Sequence, residues 1–197
     1  NDKIYKIEND VIVFDSISRI NQKKDIIDSF QDEWFEFSKL TKEHYQEFEL
    51  YFDLIDIKKL QSKTICDFGC GIGRWSKILT DKVKIKTLIL FDYSDAIYVA
   101  RENFREYQNV IFIKCDIEKI PFKTKSIDFF YCLGVLHHLP EKDSVAIEKI
   151  SNCSIEGLIY LYYSLETKSM SFKFIFKVSN LFRRVLTRIK NQNIIIF

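Results

Sequence analysis

Between residues 28 and 60 apolar side chains recur at three- and four-residue steps: Trp34, Phe35, Phe37, Leu40, Tyr45, Phe48, Tyr51, Phe52 and Ile55. That period is helical, and it predicts two helices leading into the main fold. Beyond residue 60 the rhythm changes to short apolar runs at 64–68, 87–91, 110–114, 127–133 and 158–163. Each run is too short for an ordinary helix and rich in β-branched or aromatic residues, so each predicts a buried strand. Segments of helical character, at 74–80, 94–106 and 142–151, lie between the runs. Such alternation predicts an α/β fold: a Rossmann-like, doubly wound, mostly parallel sheet with helices on both faces. The expected organisation is a helical cap over residues 1–60, a core over 61–167 and a separate tail over 168–197.

Composition narrows the class. Hydrophobic residues at 47% and charged residues at 29% describe a globular chain rather than a disordered one. No apolar run reaches the roughly 20 residues needed to span a bilayer. The amino end has an apolar patch but carries acids throughout, and it lacks the basic region and small-residue cleavage site of a secretion signal. A cytoplasmic protein is expected. The five cysteines form no C-x-x-C pair, which predicts reduced, mostly buried thiols and no metal site.

Glycine then singles out one stretch. The chain has five glycines, and three of them stand in ICDFGCGIGRW, residues 65–75. They follow a strand-like run and precede a helix-like one. In that context missing side chains permit a tight turn and let a ligand lie against bare backbone, near unpaired N–H groups of the next helix. A dinucleotide fingerprint would place its third glycine at position 74, which is Arg74. Asp67, just before the loop, would repel a pyrophosphate and favour a ligand carrying an ammonium or sulfonium charge.

The stretch DFGCGIG resembles motif I of the class I S-adenosylmethionine-dependent methyltransferases, [DE]-x-G-x-G-x-G. Later segments match that family in order and spacing across roughly residues 60–165. LILFDYSDAIYVARENF places Asp92 at the end of the second strand, where the resemblance implies a carboxylate that binds the ribose hydroxyls of S-adenosyl-L-methionine. VIFIKCDIEKIPF places Asp116 where the family contacts the adenine amino group, with Ile117 beside the ring. IDFFYCLGVLHHLPE resembles the fourth strand and its loop, with Leu133, Gly134 and Val135 lining the methionine end. The implied cofactor-binding set is Asp67, Gly69, Cys70, Gly71, Gly73, Asp92, Tyr93, Asp116, Ile117, Leu133 and Gly134. Asp92 and Asp116 also read as ordinary helix-capping acids.

Methyl transfer from a sulfonium is an in-line displacement in which the protein supplies chiefly position and a dry site. If the acceptor is a hydroxyl, His137 or His138 is the candidate general base; the same pair also reads as loop-positioning. The tail adds a different signal. From Lys168 onward there are seven basic residues and no acid, which leaves residues 1–167 with 23 basic and 28 acidic residues. Phe174, Val178, Leu181, Val185 and Ile189 follow helical spacing, with Lys173, Lys177, Arg184 and Arg188 largely opposite. Residues 168–190 thus read either as a helix packed on the domain or as contact with an anionic membrane surface or lipid-linked substrate. Nucleic acid is the weaker partner for an acidic body. The expected partner is a small-molecule substrate, and oligomeric state is not indicated.

The family fold has sixth and seventh strands that this sequence does not evidently supply, so the resemblance implies a chain truncated at one or both ends. The aromatic helices before motif I and the SNLFRRVLTRI insertion also resemble methyltransferases associated with bacterial cell-surface polysaccharide synthesis. This favours a sugar or glycolipid hydroxyl as acceptor. A quinone or other small molecule is the nearest alternative; an NAD-dependent oxidoreductase and a non-catalytic nucleoside-binding module stand outside the class.

Overall fold

The computed structural model describes residues 5–14, 40–136 and 143–161. Five strands of the sheet run parallel to one another: β3 (Thr64–Phe68), β4 (Thr87–Asp92), β5 (Val110–Lys114), β6 (Ile127–Leu133) and β7 (Ser154–Tyr160). Two further strands, β1 (Tyr5–Glu8) and β2 (Val11–Phe14), form an antiparallel hairpin whose second strand pairs in parallel with β5. Among the described residues the order across the sheet is β1-β2-β5-β4-β3-β6-β7. The helices are α1 (Lys42–Tyr51), α2 (Arg74–Lys82), α3 (Ala96–Asn103) and α4 (Asp143–Cys153).

Alternation along the strands sorts side chains into two layers, because successive residues point to opposite faces. On β3, Ile65 packs with Leu88, Leu90, Ile78, Leu79, Ile97 and Phe104, under α2 and α3. Cys66 and Phe68 face the other way, joining Ile89, Phe91, Phe130 and Ile150 on the side of α4. From α1 and the turn after it, Phe48 and Phe52 stack at 4.3 Å and enter the first layer, where Phe52 meets Tyr131 edge-on. All five cysteines are free and buried. The first of the two helices expected before residue 60, and the whole of the basic tail, lie outside the described residues. No helix among the described residues is long and apolar enough to cross a membrane.

Two boundaries differ from the sequence reading. The β1–β2 hairpin was legible only as an apolar patch, yet Asn9 and Asp10 both take positive φ, 49° and 61°, in a two-residue loop. That backbone suits the right-handed twist of paired strands, and Asn and Asp tolerate it better than most residues. Strand β7 begins four residues before the apolar run, because Ile155, Glu156 and Gly157 are exposed and break the signature of a strand buried on both faces.

Candidate functional site

The parallel strands all end on one edge of the sheet. From β3 the chain runs outward through β4 to β5 and then returns to β6 on the opposite side of β3. Such a reversal opens a crevice at the carboxyl ends of the strands, the usual place for a ligand in open α/β sheets. Residues 69–73 form the loop at this point, between β3 and α2.

The loop is held by its neighbours. Gly69 and Cys70 both donate backbone N–H groups to the Phe91 carbonyl, at 2.7 and 3.1 Å. Asn103 of α3 donates its side-chain amide to the Ile72 carbonyl at 2.9 Å. Gly69 has φ 78°, and a Cβ there would collide with the Val135 side chain beyond β6. Gly73, at φ 79°, would bring a Cβ to 2.8 Å from the Phe104 ring. Glycine is therefore required at both positions for conformation and for space.

Asp92, at the end of β4, is 7% exposed and ties strand to loop. Its Oδ2 accepts the Gly71 N–H at 2.7 Å, while Oδ1 accepts the Ser94 N–H at 2.8 Å and the Ser94 hydroxyl at 2.7 Å. Burial raises its pKa, and these donors together with the Tyr93 N–H oppose that rise. A carboxylate offers about four acceptor sites, and of the donors that meet Asp92 the Ser94 hydroxyl is the one that can rotate away. Asp116, 4% exposed, accepts the Glu118 N–H at 3.0 Å and starts the short 3-10 turn Ile117–Lys119. Burial, and after it the charge of Asp116, raises the pKa of the half-buried Tyr93. Ile117 is buried against the second core layer. Leu133 ends β6, and Gly134, at φ 70°, donates its N–H to the Tyr160 carbonyl at 3.1 Å.

Asp67 lies behind the loop, with 2% exposure. It shares the face of Ile65, so its side chain meets the inner side of α2: Oδ2 accepts the Ser76 hydroxyl at 2.8 Å, and Ser76 in turn is hydrogen-bonded to the Tyr131 hydroxyl. Burial is the largest influence on Asp67 and pushes its pKa up to about 7 against the two hydroxyl donors. Ser76 and Tyr131 were not singled out in the sequence, although each stands out on inspection: Ser76 is polar on the apolar face of a helix, and Tyr131 carries a hydroxyl inside the buried run IDFFYCL.

A second group missed by sequence reasoning is aromatic. Tyr51 of α1 meets Trp75 edge-on at 5.2 Å and Tyr160 at 4.7 Å, and the His44 ring meets Trp75 at 6.2 Å. The structure thus brings together the glycine loop, Asp92, Tyr93, Asp116, Ile117, Leu133 and Gly134 on one edge, with Asp67 beneath. His137 and His138 lie outside the described residues. Among the described residues, no three His, Cys, Asp or Glu side chains gather where they could hold a metal ion.

The donor set suits one kind of ligand better than another. Two buried carboxyl groups at the strand ends, Asp92 and Asp116, oppose a diphosphate, and such groups accept hydrogen bonds from hydroxyl and amino groups. A phosphate-free nucleoside with a positive charge fits these residues.

Comparison with known proteins points the same way. Residues 65–155 match the family described as a methyltransferase domain. An uncharacterized chloroplastic methyltransferase of Arabidopsis thaliana is 26% identical over 112 residues, 53% of this chain and 31% of that protein. A malonyl-[acyl-carrier protein] O-methyltransferase of Coxiella burnetii is 30% identical over 74 residues, 38% of this chain and 30% of that protein. The chain therefore spans about a third of the length of the curated relatives it matches. Among solved structures, magnesium protoporphyrin IX methyltransferase from Synechocystis PCC 6803 with bound SAH superposes with a TM-score of 0.63 at 20% identity, over 81% of this chain and 79% of that one. This last likeness is one of fold. The motif I loop, the strand order that opens a crevice behind it and the matched domain agree: residues 65–155 match a methyltransferase domain, and the site is similar to that of the class I S-adenosylmethionine-dependent methyltransferases.

Proposed function

We propose that this protein transfers a methyl group from S-adenosyl-L-methionine to a small molecule, with a sugar or glycolipid hydroxyl as the acceptor. The observation that carries the reading is the hydrogen bond from the Gly71 N–H to Asp92, which joins the glycine loop and the strand-end acid into one site. Gly69, Cys70, Gly71 and Gly73 offer backbone for close approach. Asp92 accepts from the ribose hydroxyls, for which the Ser94 hydroxyl, which can rotate, gives way. Tyr93, Asp116 and Ile117 border the adenine, while Leu133 and Gly134 border the methionine end.

When bound, the cofactor supplies a methyl group on a positively charged sulfur: the C–S bond pair stays on sulfur, the acceptor oxygen forms the new bond, and its proton leaves. This chain's residues orient the two partners and exclude water, a contribution of up to about 7 to 11 kcal/mol in well-aligned reactions. His137 or His138 takes the hydroxyl proton. The resemblance of the segment order to methyltransferases of cell-surface polysaccharide synthesis supports the choice of acceptor, and the basic amphipathic pattern of residues 168–190 supports contact with an anionic membrane surface or lipid-linked substrate. The expected setting is cytoplasmic, at the inner face of a membrane.

The test is transfer of a labelled methyl group across sugar, glycolipid and quinone acceptors. Label should appear in a sugar or glycolipid hydroxyl and fall sharply in the double variant His137→Ala, His138→Ala. Label confined to a quinone would replace the acceptor. Unchanged turnover in the double variant would remove the histidine base.

A further inference from the structure

Behind the glycine loop three polar side chains are sealed from solvent: Asp67 is 2% exposed, and Ser76 and Tyr131 are fully buried. They come from β3, α2 and β6, so the network ties together the three elements that frame the loop. A buried carboxyl group that remains ionisable needs donors, and here the Ser76 hydroxyl donates to Asp67 and is itself hydrogen-bonded to the Tyr131 hydroxyl. Hydroxyls differ from the backbone N–H groups that serve Asp92 in one respect. They rotate, and they donate or accept as the charge on the carboxyl group changes.

The surroundings leave the choice between charged and neutral Asp67 open. Burial and the neighbouring charge of Asp92 on β4 favour the neutral acid, while the Ser76 and Tyr131 hydroxyls favour the carboxylate. The remaining titratable groups around it are the thiols of Cys66, Cys70 and Cys132, which burial keeps protonated. From α1, Phe52 closes the space over Tyr131 and adds no charge. With the two states so balanced, a cation arriving in the loop draws Asp67 into its ionised form, and a neutral ligand does not.

We infer that Ser76 and Tyr131 are positioning residues that hold Asp67 beneath the loop so that its negative charge favours the cationic cofactor over the neutral thioether left after transfer. This rests on the cofactor reading given above. The methyl donor and the thioether share their adenosine and amino-acid parts and differ by the methyl group and one positive charge. An electrostatic group placed behind the loop can separate them where hydrogen bonds to the shared parts cannot. The expected benefit is release of product without loss of grip on the cofactor.

The full chain is titrated by calorimetry with S-adenosylmethionine and with S-adenosylhomocysteine between about pH 6 and pH 8, in two buffers of different ionisation enthalpy. The ratio of affinities should move toward the cofactor by on the order of fivefold as pH rises, with a fraction of a proton released on cofactor binding and less on product binding. Asp67→Asn should flatten the ratio, and Tyr131→Phe, which removes the hydroxyl that backs Ser76, should move the transition to higher pH. A wild-type ratio that stays flat overturns the inference, as does a pH dependence that persists in Asp67→Asn. Those results differ from failure of the underlying reading, in which neither ligand binds the wild type at any pH.

Discussion

Two carboxyl groups flank the glycine loop on neighbouring strands, and they are served by different donors. Asp92 is fixed by two backbone N–H groups and a hydroxyl, at 2.7 to 2.8 Å. Asp67 is served by the hydroxyls of Ser76 and Tyr131. Backbone donors cannot turn away, so Asp92 acts as a strut between β4 and the loop, and the Ser94 hydroxyl is the partner that can yield to a ligand. Hydroxyl donors can adapt, so Asp67 is the member of the pair whose charge state can follow the ligand. Equal burial thus produces a fixed acceptor in one place and an adjustable charge in the other.

The sharpest way to separate the two is stability against pH. Asp67 ionises near pH 3.9 in an unfolded chain and at about 7 in the folded one. Between these values the folded state holds a proton that the unfolded state has lost. Stability is therefore greatest below about pH 4 as far as this group is concerned, falls as pH rises, and levels off above about pH 7. The fall is on the order of 4 kcal/mol if Asp67 alone is counted. Denaturant melts across this range should show it, and Asp67→Asn should remove most of it. A slope untouched by that substitution would mean the carboxyl group is not held as described.

Breaking the strut should cost somewhat less but act on both folding and binding. Asp92→Ala leaves the Gly71 and Ser94 donors without their acceptor, a loss of about 3 kcal/mol by chemical melt, with cofactor affinity lost as well. By contrast, Asp10→Asn breaks an exposed ion pair between the β1–β2 turn and Arg101 of α3. That change should cost less than about 1 kcal/mol and leave binding untouched. If it matched Asp92→Ala, the hairpin would be coupled to the site in a way the contacts do not explain.

Strands β3, β4 and β6 and their common edge were legible in the sequence because they are largely buried on both faces and read as near-continuous apolar runs. The loop was legible because Gly69 and Gly73 answer to local rules of conformation and space. What escaped depends on contacts distant in sequence. Nothing local says that Asp67 turns toward Ser76 and Tyr131 rather than toward the ligand; the register of β3 decides it, since Asp67 shares a face with Ile65. The hairpin escaped for another reason. Tyr5, Lys6, Ile7 and Glu8 do alternate, but the strand is four residues long and exposed throughout, so its pattern carries little weight against a generic apolar patch.

The loop and the strand-end acids decide which ligand this edge admits. Parallel calorimetric titrations of the full chain with S-adenosylhomocysteine and with NAD address it directly. Saturable binding of S-adenosylhomocysteine with none for NAD is the expected result, and its loss in Asp92→Ala would place the ligand at this edge. Binding of NAD alone would contradict the account.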